Sequence, residues 1–126
     1  MTTMNTALWV LQLFLAAIFA LTGTLKLVVP RERLARRMHW AAAWPPERIK
    51  LLGLAEVAGA LGLVLPWATG LAPMLTPLAA VCLAVLMIGA VRTHQRLGEP
   101  ILPAVIAGVL CVATAVGRLA LLRGGR

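Results

Sequence analysis

The chain offers few side chains that could do chemistry. Its only acids are four glutamates; it has two histidines, two cysteines and no aspartate in 126 residues. A Ser–His–Asp set is therefore excluded. Cys82 and Cys111 form no CxxC pair, so thiol exchange of that kind is not encoded, and both are expected to act as small buried hydrophobes. His39 and His94 are too widely spaced to chelate a metal with any nearby ligand, and haem would need paired histidines within the apolar segments. Phosphate-loop and dinucleotide fingerprints do not occur.

What remains is Lys26 and Glu56, each interrupting a long apolar run. A carboxylate alone in hydrocarbon would neutralise, whereas an adjacent ammonium holds it ionised. An ion pair between the two is thus the cheapest arrangement. It has either a structural use, joining two helices, or a chemical one, with Lys26 donating to an oxygen and Glu56 moving a proton. Arg92 and His94 follow the third apolar run. Arg92 suits a snorkelling role or a clamp on a ligand. His94 suits an interfacial position or a proton relay, since its ordinary titration range is near neutrality. His39 carries no signal.

The elements that position these residues are membrane spans. Hydrophobic residues make up 61 % of the chain and charged ones only 13 %, too few to cover a soluble domain of this length. The mean hydropathy is +0.93. Crossing a bilayer takes roughly 20 apolar residues, and four such runs occur, at about 7–29, 48–67, 73–91 and 101–122. The fold class expected is all-α, a four-helix integral membrane bundle forming one domain over 1–126. The first run is too long for the core of a signal peptide and lacks a basic leader, so it is expected to stay as a helix.

Lys and Arg number twelve, for a net charge of +8. They flank apolar runs instead of forming one soluble patch, which argues against nucleic acid and for anionic lipid headgroups, worth about 1 kcal/mol per basic residue. Lys26, Arg31, Arg33, Arg36, Arg37, Arg48, Lys50, Arg92 and Arg96 fall at one end; only Arg118, Arg123 and Arg126 fall at the other. The positive-inside rule then predicts cytoplasmic basic links and both termini outside, in a bacterial-type inner membrane. Trp9 and Trp67 would mark the outer boundary, Trp40 and Trp44 the inner one. Residues 31–40, RERLARRMHW, suit either a short amphipathic helix on the inner leaflet or a solvated basic loop. Arg118 reads most simply as an interfacial anchor.

Helical spacing groups Gln12, Phe19, Gly23 and Lys26 into one stripe, and Gly53, Glu56, Ala60 and Leu63 into another. Ala104, Gly108, Cys111 and Ala115 form a third, of small residues that permit close helix contact or a homodimer. These stripes predict a tight bundle with a polar spot near its basic end.

Phe19-x-x-x-Gly23-x-x-Lys26-Leu27, Gly53-Leu54-Ala55-Glu56, His94 at the end of the third run and Gly117-Arg118 late in the fourth, in this order, resemble the DoxX-like family of small four-helix membrane proteins. The resemblance spans nearly the whole chain. One departure is the start of the last run, where many relatives carry asparagine and this chain reads Pro103-Ala104-Val105; a role resting on that amide is not carried over. Some relatives resemble a membrane subunit of thiosulfate–quinone oxidoreductase, and others belong to membrane oxidoreductase complexes. With the buried pair, this implies a bundle that binds a small hydrophobic molecule, a quinone for instance, as the membrane component of an oxidoreductase system. Glu56, Lys26 and His94 would be its chemical residues, and Gln12, Phe19, Gly23, Gly53 and Arg92 its ligand-binding ones. A redox centre would come from the quinone or a partner oxidoreductase. Two other readings stand beside it: an accessory protein that docks a partner through the basic surface, and a non-redox enzyme using Glu56 as acid/base on a lipophilic substrate.

Overall fold

The computed structural model describes residues 2–124. Its long helices are α1 (Thr2–Val28), α3 (Pro46–Thr69), α4 (Leu75–Leu97) and α5 (Leu102–Gly124). Between α1 and α3 lie a short helix, α2 (Arg31–Arg37), and a 3₁₀ turn (His39–Ala43). No strand occurs among the described residues. The four long helices overlie the expected spans, with α1 starting about five residues earlier and α4 ending about six residues later than expected. All four are long and apolar enough to cross a membrane.

Local chemistry sets the boundaries. Pro30 follows α1, and Pro46 occupies the first turn of α3, where a missing N–H costs nothing. Gly70 and Gly98 end α3 and α4 in the left-handed conformation (φ 75° and 71°), which favours glycine. Arg126 lies outside the described residues, so its expected place opposite the basic end has no structural counterpart here.

The helices close into a ring in which α1 packs on α3 and α5, and α4 packs between α3 and α5. The core is built from Leu15, Phe19, Leu63, Leu83, Cys111 and small neighbours. Outward faces carry exposed Val, Leu and Ile all along the long helices, the surface expected against lipid tails. The closest approach is between α1 and α3: a Cβ added to Gly23 would sit 2.7 Å from Gly53 O, and one added to Gly53 would sit 2.7 Å from Gly23 O.

Of the two readings left open for residues 31–40, the helical one is formed: the segment after Pro30 is a helix and a 3₁₀ turn, because Leu34, Trp40 and Ala41 bury themselves with Ile49 in a second small core. Two expectations are corrected. Cys82 is exposed on the outer face of α4, while Cys111 is buried; Ala80, Leu83 and Ala84 take the inward positions instead. The small-residue stripe on α5 is used within the chain: Ala104, Cys111 and Ala115 are buried, and Gly108 faces Met87 of α4. That stripe is therefore not a free dimerisation face.

Candidate functional site

Lys26 and Glu56 meet where the glycines let α1 and α3 touch. Lys26 follows Gly23 by one turn and Glu56 follows Gly53 by one turn, on antiparallel helices, so the two side chains reach each other across the contact. Lys26 Nζ donates to Glu56 Oε2 at 2.5 Å, and both residues are buried. Thr22 Oγ1 donates to the other carboxylate oxygen, Oε1, at 2.6 Å. Both oxygens of this buried carboxylate are thus partnered, as its burial demands. Thr22 went unnoticed in the sequence, although it precedes Lys26 by four residues and so shares its face.

Above the pair lies a cavity of about 370 Å³. Lys26 and Glu56 form its polar floor; Leu52, Val85, Leu86 and Met87 supply apolar wall. Trp40 and Trp44 close one side, their rings edge to face with centroids 5.8 Å apart. Trp40 also lies 5.4 Å from the Lys26 ammonium, within cation–π range. Arg92, Thr93 and Arg96 of α4 complete the lining. The 3₁₀ turn that carries Trp40 is pinned by Arg31, which donates to the carbonyls of Ala41 (3.2 Å) and Ala42 (2.6 Å).

Of the residues singled out from sequence, Lys26, Glu56 and Arg92 share this cavity. His94 does not line it. Its Nδ1 faces Glu99 Oε1 at 2.8 Å, and His39 of the 3₁₀ turn faces the other oxygen of Glu99 at 3.6 Å. Glu99, in the link between α4 and α5, thus hydrogen-bonds His94 and only approaches the exposed His39. Phe19 is part of the apolar core, and Gly23 and Gly53 are spent on the helix contact, so none of the three lines the cavity. Gln12 belongs to the other end of the bundle, about 21 Å along α1 from Lys26.

There Gln12 Nε2 donates to Leu63 O at 2.6 Å, and its Oε1 accepts from Arg118 Nε at 2.5 Å. Arg118 is fully buried, not an interfacial anchor. Its guanidinium lies 4.3 Å from the ring centroid of Trp67 and 5.4 Å from that of Trp9, and Nη1 donates to Asn5 Oδ1 at 2.8 Å. Three of the four tryptophans expected at the boundaries thus lie against a buried cation, Trp40 against Lys26 and Trp9 and Trp67 against Arg118, while Trp44 packs on Trp40. The spacing held the signal: 104, 108, 111 and 115 continue by three to 118, which puts Arg118 on the inward stripe of α5. Among the described residues no three His, Cys, Asp or Glu side chains gather to hold a metal ion.

No curated protein and no solved structure matches the chain. The family model that does match covers residues 10–117, from Val10 in α1 to the residue just before Arg118. Four apolar helices of spanning length and that match together make the chain a multi-pass membrane protein that belongs to the DoxX-like family.

Proposed function

We propose that the basic end of the bundle binds a small lipophilic molecule bearing a carbonyl or hydroxyl oxygen, a quinone for instance, in the cavity above Lys26 and Glu56. One observation carries this reading: a buried ammonium–carboxylate pair forms the floor of a cavity whose other walls are largely apolar and aromatic. Such a site takes an apolar body and orients it through few polar groups, and about 370 Å³ falls within the range of small-molecule pockets. Lys26 donates to the ligand oxygen. Glu56 holds Lys26 in place and is the group able to pass a proton. Arg92 and Arg96 add positive charge that favours an oxygen acquiring negative charge. The family's redox associations favour a quinone in this role, with electrons supplied by a partner oxidoreductase. Nine basic residues at this end support its lying on the cytoplasmic side.

The test is a titration of a short-tailed benzoquinone into the purified protein, read by quenching of tryptophan fluorescence. Glu56→Gln and Lys26→Met are each expected to weaken binding by about tenfold, the scale of one charged hydrogen bond. Unchanged affinity in both variants rejects the site.

A second reading rests on a different observation, that both Glu56 oxygens already have partners within the protein. On it the pair only joins α1 to α3, and function lies in docking a partner on the basic surface. Replacing Lys26 and Glu56 together with apolar residues separates the two. A stable double variant that keeps full activity favours the accessory role.

A further inference from the structure

Arg118 differs from the other buried cation in having no acid beside it among the described residues. The four glutamates are residues 32, 47, 56 and 99, and the nearest to this layer along α3, Glu56, is eleven residues from Trp67, or about 16 Å of helix. Arginine keeps its proton in proteins, so this end of the bundle holds a full positive charge inside the fold. Its known partners, Gln12, Asn5 and two indole rings, are all neutral. They satisfy Nε and Nη1 but leave Nη2 buried and without a partner.

One other buried side-chain polar atom among the described residues lacks a partner, Thr76 Oγ1. The helix register puts it in the same layer. Gly59 faces Leu83 and Gly62 faces Ala79 across α3 and α4, and continuing that antiparallel pairing sets Thr76 level with residues 65 and 66, next to Trp67, which stacks on Arg118. Native proteins seldom leave buried donors unsatisfied. Two of them in one layer, beside an uncompensated cation, call for an acceptor carrying negative charge.

We propose that this layer is a second binding site, separate from the cavity at the basic end, for a carboxylate or a similar oxyanion. One of its oxygens accepts from Arg118 Nη2 and Thr76 Oγ1. The charge of Arg118 supplies the attraction, and Gln12 and Asn5 hold the guanidinium by its other two nitrogens so that Nη2 stays free for the ligand. Asn5 is exposed, which puts the guanidinium one side chain from the surface. The carboxylate belongs either to a small water-borne acid or to a lipophilic acid with its chain along the lipid face.

Trp9 and Trp67 report on the site directly. The full chain carrying Trp40→Phe and Trp44→Phe, which leaves those two as its only indoles, is titrated at pH 8 in neutral detergent with formate, dodecanoate or dodecanol. A saturable fluorescence change is expected with a carboxylate and not with dodecanol. Saturation by formate identifies a small acid; saturation by dodecanoate alone identifies a lipophilic one. Arg118→Lys, which keeps the charge but loses the fork, is expected to raise Kd at least tenfold, and Thr76→Val, which leaves the arginine intact, severalfold. The proposal fails if neither carboxylate gives a saturable change, if dodecanol responds equally, or if both variants bind as tightly as the parent.

Discussion

A carboxylate inside a membrane bundle is tolerable only while its partners stay. Glu56 has two, Lys26 and Thr22. Removing one partner of a buried pair leaves an uncompensated charge, typically a loss of about 3–5 kcal/mol, whereas replacing both with apolar groups is often close to neutral. Lys26→Met is therefore expected to lower the thermal unfolding midpoint sharply, and Lys26→Met with Glu56→Leu to recover most of the loss. Thr22→Val removes one hydrogen bond to a charged acceptor and is expected to cost about 1.5–3 kcal/mol in the same measurement. The ion pair was legible in the sequence because ionisable residues are so rare within apolar runs. Arg118 was not, because closeness to the end of an apolar run outweighed its phase on α5. Gln12 was placed on the correct face of α1 but with the wrong companions: a stripe fixes direction around a helix and says nothing about which end of it a residue serves.

The contact between α1 and α3 depends on two glycines, and a side chain at either has nowhere to go. At Gly23 a Cβ would meet backbone and the Val57 side chain at 2.7–2.8 Å. Gly23→Ala is expected to destabilise by about 1–3 kcal/mol, the usual cost of overpacking, and to pull Lys26 away from Glu56. At Gly89, in the middle of α4, an added Cβ meets nothing within 4 Å. Gly89→Ala is expected to be neutral or stabilising by up to about 1 kcal/mol, from helix propensity alone. Paired thermal melts of the two variants check both. Hydropathy made the four long helices legible, since span length and proline positions leave little choice. The cap formed by α2 and the 3₁₀ turn was not decided by sequence. Its amphipathic pattern suits a membrane surface as well as a core, and only the packing of Leu34, Trp40 and Ile49 makes it part of the fold.

At the scale of the whole molecule, the bundle has a buried cation at each end, Lys26 against Trp40 and Arg118 against Trp9 and Trp67, with an apolar core between them. The ends differ in what neutralises the charge: Glu56 at one, no acid of the described chain at the other. They also differ in surface, since basic residues crowd the end that holds the cavity. Single cysteines placed at Arg33 and Leu71, in a chain whose native cysteines are replaced, are expected to react with an impermeant maleimide on opposite sides of the membrane, position 33 only after the cytoplasmic face is opened. The central claim is that the cavity over Lys26 and Glu56 holds a lipophilic ligand. A photoreactive benzoquinone, cross-linked in native membranes and mapped by peptide mass spectrometry, tests it most directly. The account predicts saturable labelling on Leu52, on Val85, Leu86, Ala90 or Thr93 of α4, and on Trp40 or Trp44, competed away by unlabelled quinone. Labelling confined to the outer groove between α4 and α5, around Ile88 and Val109, or labelling that competitor leaves unchanged, would contradict it.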